Sequence, residues 1–237
     1  MTEGPMNDRT VNDETTSDGT TSDETTSDET TSDETIRAEI VAERTGLAAM
    51  LAGLRPEQWD APTLCAGWRV REVVAHMTMA YRMSAPRFFV ELARSRFRFN
   101  AMADRQARRD AAAMSAGDLL AALRDNIGHP WTPPGGGPVG ALSHDVIHGL
   151  DISVGLGLDR HPPSTRVALV LRALRARNVS FFGVDLAGVR LEATDLDWQM
   201  GTGAPLRGAA QDLLLVVCGR RVPENLLSGT PAARFAA

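Results

Sequence analysis

From residue 36 onward, apolar side chains recur at the three-and-four spacing of an α-helix in one stretch after another, and proline or glycine closes each stretch. That spacing gathers the apolar residues on one stripe per helix, and each stripe must be covered by a neighbour. Helix-on-helix packing is therefore expected. Residues 36–54 place Ile40, Val41, Leu47, Met50, Leu51 and Leu54 on such a stripe, and Pro56 follows as a stop. Residues 59–68 (WDAPTLCAGW) read as a loop. A second helix is expected over 70–83, with Val73, Val74, Met77 and Tyr81 inward, and a third over 85–114, rich in Phe and Arg. Ser115, followed three residues later by Asp118, reads as a capping box opening a fourth helix over 117–127. The Pro/Gly-dense run 129–138 is a loop of about ten residues, longer than most connections and so a candidate lid or site rim. A fifth helix is expected over 139–154.

The pattern changes after Gly157. One more helix, 164–181, leads into short strand-like runs at 189–193 and 197–200, a turn at 201–203 and an apolar helix at 209–218. The chain thus reads as mainly α, with a helical bundle over 36–160 and a small α/β unit over 161–237.

Residues 1–35 are of another kind. From Thr15 to Thr35 the unit Thr-Thr-Ser-Asp-Glu repeats every five residues, once with Gly19 in place of Glu. A period of five fits neither helix nor strand, and the repeat has no apolar residue to bury. It is expected to be a disordered, solvating tail. This tail holds eleven carboxylates and one arginine, so the formal charge of -5 conceals a body with 24 arginines against 19 carboxylates. A mildly basic body with scattered arginines suits small anionic ligands and not nucleic acid. No apolar run approaches the length of a membrane span, and the N-terminus lacks the pattern of a secretion signal, so no membrane partner is expected. Two cysteines, Cys65 and Cys218, are too few for a disulfide framework and fit a reducing cytoplasm.

Three of the five histidines are placed for chemistry. His144 and His148 form an HxxxH pair, which on a helix puts both imidazoles on one face. His76 lies in the amphipathic stretch VREVVAHM. If the two helices pack side by side, three neutral imidazoles can hold a divalent cation and leave a position open, as catalytic metals require. A single histidine on an apolar face is more often a core or cap residue than a ligand. The flanks Val146, Ile147, Leu150 and Ile152 imply a buried face, however, where two unpartnered imidazoles would be costly. Asp151, three residues past His148, is placed either to accept an N–H from it or to sit at a helix end in solvent. HDVIH differs from the protease motif HExxH in its shorter acid, and Val154 stands where an extended motif would have a third histidine. His129 and His161 lie in Pro-rich loops and are expected to be solvated.

The stretch 59–76, WDAPTLCAGWRVREVVAH, resembles the N-terminal metal-binding domain of the mycothiol-dependent maleylpyruvate isomerase family, within the DinB-like four-helix-bundle group. DVIHGLDI, starting at Asp145 and followed by Gly155-Leu156-Gly157, is similar to that family's second metal segment. Residues 191–198 (LEATDLDW), Arg207-Gly208, 213–215 with Gly219-Arg220, and 227–229 resemble its C-terminal α/β domain. The resemblance spans about 36–237. It implies a DinB-like bundle, a divalent metal (zinc) held by His76, His144 and His148, mycothiol as cosubstrate, and Arg220 as counterpart of an arginine the isomerase uses. In the isomerase a glutamate stands where this chain has His144, so the site here is one charge more positive. Arg69 is a second departure, at a position where relatives often carry a Thr or Ser suited to capping. The implied activity is that of a thiol-dependent transferase or isomerase, in which a metal-activated thiolate adds to a small electrophile. The other reading is a metal- or ligand-binding module without catalysis.

Overall fold

Helix α1 (Thr21–Ala52) opens the fold in a computed structural model that describes residues 21–174 and 176–237. Its core stripe begins at Ile36 and continues through Ile40, Leu47 and Leu51, all buried. The helix itself starts earlier, within the segment expected to be disordered. Once packing holds 36–52, each residue added in front gains a backbone bond without a new nucleus. Residues 32–35 are exposed, so the extension adds no core. Residues 1–20 of the expected tail lie outside the described residues.

Two expected helices are each divided. The second becomes α2 (Val70–Met77) and α3 (Met79–Arg82), broken at Thr78, whose Oγ1 donates to the Val74 carbonyl at 2.8 Å. Arg69 precedes α2 without a capping oxygen; the Glu72 carboxylate instead accepts the Arg69 backbone N–H at 2.8 Å. The third becomes α4 (Ala85–Arg94) and α5 (Phe99–Ala113), a hairpin whose turn places Arg96 and Phe97 at positive φ. Helix α6 (Ala116–Arg124) starts as the sequence predicts, with Ser115 Oγ accepting from the Asp118 N–H and Asp118 accepting from the Ser115 N–H, each at 3.1 Å. Helix α7 (Gly137–Gly155) follows the long loop.

Helices α8 (Ser164–Ala173) and α9 (Ala176–Phe182) replace the single helix expected over 164–181. Strands β1 (Val189–Ala193), β2 (Gln199–Gly201), β3 (Ala204–Gly208) and β4 (Leu227–Ser228) form one sheet in the order β2-β1-β3-β4. β1 and β3 are parallel, with Leu191 opposite Leu206, and the outer pairs are antiparallel. Between β2 and β3 the chain wraps around the start of β1, so Gly203 passes so close to Gly188 that a Cβ there would lie 2.2 Å from its carbonyl oxygen. Only glycine fits such an approach. Helix α10 (Ala210–Val217) is buried along its whole length and covers the sheet.

Helix α7 joins two apolar clusters. Its Ile152 packs with Leu47, Val73, Val74 and Leu119, while Leu142, Val146 and Leu150 pack with Val170, Leu191, Leu206 and Leu214. The bundle and the sheet therefore share a core across residue 160. Buried Glu43 adds a polar tie across that point, accepting from Arg160 and Arg166 at 2.7 Å each. Gly149 lets α1 approach α7, because a Cβ there would lie 2.7 Å from Leu47. Among the described residues, no helix is long and apolar enough to cross a membrane.

Candidate metal centre

The crossing of α2 and α7 brings His76, His144 and His148 together. Their ring centroids stand 5.1, 5.0 and 4.9 Å apart, and one ligand nitrogen from each lies within 4.8 Å of the other two. His144 Nε2 and His76 Nε2 face each other at 3.3 Å. Two nitrogens bound tetrahedrally to zinc at about 2.0–2.1 Å would stand about 3.4 Å apart, so this spacing suits a shared cation. Burial lowers the His148 pKa and lowers that of His76 well below the ordinary histidine range. Both are thus kept neutral, the form that coordinates a metal.

Each histidine of α7 is held from behind. His144 Nδ1 lies 3.0 Å from Asp145 Oδ1, and His148 Nδ1 lies 3.0 Å from Asp151 Oδ2. Neutral imidazoles that donate Nδ1–H to carboxylates turn the Nε2 lone pair toward the cluster. Both carboxylates are fully buried and each is met by an arginine. Arg44 Nε donates to Asp145 Oδ2 at 2.7 Å, and Arg220 donates through Nε and Nη2 to Asp151 at 2.9 Å each. Arg44 is anchored further by the carbonyls of Ile127 and His129, and Arg220 by that of Cys218. Burial alone would raise the Asp151 pKa, but the bonds from His148 and Arg220 hold it below the usual carboxylate range. The result is two parallel relays, Arg44–Asp145–His144 and Arg220–Asp151–His148.

The donor set fits a divalent ion. His76 has no such relay: its Nδ1 is buried without a partner among the described residues, so that edge of the ring is held by packing. Trp68 leans over it at 5.1 Å and over His148 at 6.4 Å, with its indole N–H donated to Asp104 at 2.7 Å. Trp131, from the loop expected to form a rim, stands edge-on to His144 at 5.4 Å. Cys65 lies on the far side, its sulfur within 4.8 Å of ligand atoms of His148 and Asp151. Burial pushes the thiols of Cys65 and Cys218 up to about 11 and about 12, so both stay protonated at neutral pH.

Of the residues singled out in the sequence, His76, His144, His148, Asp151 and Arg220 all converge here. Asp151 takes the inward of its two sequence readings. Arg220 spends its donors on Asp151 and Cys218, which makes it a positioning residue in this arrangement. His161 lies apart on the surface, as expected, whereas His129 is half-buried against Tyr81 at 4.9 Å. Arg44 was not foreseen. Its signal lay in the pattern, because it sits between Ile40 and Leu47 on the stripe α1 buries.

Residues 40–129 match the family described as the mycothiol maleylpyruvate isomerase N-terminal domain. That likeness lies within the helical bundle. The matched segment contains Arg44, Cys65, Trp68 and His76, and it ends before α7. A crystal structure of a mutant of the mycothiol-dependent maleylpyruvate isomerase aligns with a TM-score of 0.52 at 10% identity, covering 84% of this chain and 93% of the other. The crystal structure of that isomerase without the mutation aligns at 0.46 and 14% identity, with the same coverage. The first likeness extends the shared fold past the bundle into the C-terminal sheet. No curated protein matches the chain.

Proposed function

We propose that the chain is a metal-dependent enzyme that uses a low-molecular-weight thiol, mycothiol by the likeness of residues 40–129, to transform a small electrophile by isomerisation or transfer. The observation that carries this reading is the convergence of three imidazoles, two of them braced by buried Asp–Arg pairs. His76, His144 and His148 would hold the ion, with zinc the best match to an all-nitrogen set. When bound, the cation would lower the pKa of a coordinated thiol so that the thiolate is present at neutral pH. The protein's own part is orientation and exclusion of water. Asp145 and Asp151 orient the two imidazoles, Arg44 and Arg220 anchor those carboxylates, and Trp68 and Trp131 wall the site. Burial pushes the chain's own thiols up, which favours a nucleophile from outside.

The test is metal analysis of the purified full chain, followed by assay of the mycothiol-dependent conversion of a panel of small electrophiles, since isomerisation returns the thiol and transfer consumes it. About one divalent ion per chain is expected, lost in His148→Ala and kept in His161→Ala, with mycothiol-dependent turnover lost alongside the metal. Full metal content in the His148 variant would refute the site. Metal without thiol-dependent turnover would favour a binding module over an enzyme.

A further inference from the structure

Helix α4 is built inside out. Its buried position is Glu91, at 4% exposure, with Ser95 just beyond it at 7%. Phe89 and Val90 face solvent at 65% and 49%, and Phe97 in the turn reaches 77%. Arg94, Arg105 and Arg109 surround Glu91 at 2.9, 3.2 and 3.6 Å, and Arg105 also donates to Ser95 Oγ at 2.8 Å. A polar lock thus fastens α4 to α5 and leaves the aromatic residues outside. The rings are contiguous, with Phe88 5.6 Å from Phe89 and 6.5 Å from Phe99. The turn that displays Phe97 holds two successive non-glycine residues at φ 53° and 59°. L-residues rarely adopt that region, and such strain persists where a surface has a use for it.

The charge of the body is concentrated at the same place. Residues 85–113 contain seven arginines against Glu91, Asp104 and Asp110, a net of +4, while the rest of 36–237 is close to neutral. This corrects the expectation of scattered arginines. Arg87, Arg96 and Arg98 are exposed and make no ion pair among the described residues.

We propose that the α4–α5 hairpin docks on an anionic lipid surface, with Phe89, Phe97 and Phe99 entering the headgroup layer and Arg87, Arg96 and Arg98 against the phosphates. Exposed aromatic rings beside unpaired arginines fit that interface, which supplies apolar contact and negative charge together. A second copy would bring +4 against +4. The acidic tail offers charge, but its repeat has no apolar residue to cover the rings. Peripheral docking requires no spanning helix.

The test is flotation of the full chain with vesicles of phosphatidylcholine alone and of phosphatidylcholine mixed with phosphatidylglycerol. Binding to the mixed vesicles, weakened by salt, is expected, with little binding to the neutral ones. Phe97→Ser should weaken binding about tenfold, as for loss of one buried ring, and Arg96→Glu with Arg98→Glu should abolish it. All these positions are exposed, and unchanged circular dichroism would verify folding. Absence of binding to the mixed vesicles, equal binding to both kinds, or unchanged binding by Phe97→Ser would overturn the proposal. So would a dimer by sedimentation that Phe97→Ser dissociates.

Discussion

Asp151 serves two partners at once, and its substitution should separate stability from metal affinity. In Asp151→Asn the shape is kept and the charge is lost. Arg220, only 12% exposed, is then left without its counter-ion. Removing one member of a buried pair costs ~3–5 kcal/mol, a fall of roughly 6–20 °C in Tm for a chain of this size. Separately, the amide offers one acceptor where the carboxylate offered two, so His148 and Arg220 compete for it. Loss of such an orienting bond lowers metal affinity ~10–100-fold, or ~1.4–2.7 kcal/mol. The double variant Asp151→Leu with Arg220→Met removes both charges, and should recover most of the stability while leaving His148 unoriented. Calorimetry on metal-free protein reads the first effect, and zinc competition against a chromophoric chelator reads the second. If both variants bind zinc as tightly as the parent, Asp151 does not orient His148. If the double variant is as unstable as the single one, the ion pair is not the source of the loss.

Three further outcomes are expected. His144→Glu should retain metal, since a carboxylate one helical turn before His148 reaches the same ion, whereas His144→Leu should bind far more weakly while keeping the fold; equal binding by the leucine variant would make His144 a core residue. Burial pushes the Asp212 pKa up to about 6 from 3.8. The folded state therefore holds that proton longer than the unfolded chain, and stability is lost as pH rises through about 6, by at most ~3 kcal/mol. Asp212→Asn should then raise the denaturation midpoint at about pH 8 and not at about pH 4, and an equal gain at both would contradict the assignment. Deleting residues 1–31 should leave Tm nearly unchanged, because the core begins at Ile36; a loss of cooperative unfolding would show that the repeat docks on the body.

The sequence was most legible where a local rule acted alone. The Ser115–Asp118 cap, the HxxxH spacing on α7 and the rim loop carrying Trp131 each follow from short-range chemistry. The breaks at Thr78 and at Arg96-Phe97 did not, because neither proline nor glycine marks them; the first rests on a side-chain bond to the preceding turn and the second on the burial of Glu91. β3 and β4 escaped notice for another reason. β3 begins Ala-Pro and β4 is two residues long, so neither shows a clear two-residue period, and both are fixed by long-range pairing with a neighbouring strand. The arginines behind the histidines were half-legible. Arg220 came through resemblance, whereas the role of Arg44 needed Asp145 to be seen opposite it.

The two relays reach the histidines from opposite ends of the chain, Arg44 on α1 and Arg220 after α10. Ion occupancy and the seating of the C-terminal unit are then thermodynamically linked. An ion that binds only the folded arrangement, at a thousand times its dissociation constant, adds ~4 kcal/mol. Part of that free energy would be felt at the contact between Arg220 and Asp151, some distance in sequence from the bundle's own core. A chelator would thus act on the whole molecule as a mild denaturant, loosening the sheet although the sheet supplies no ligand.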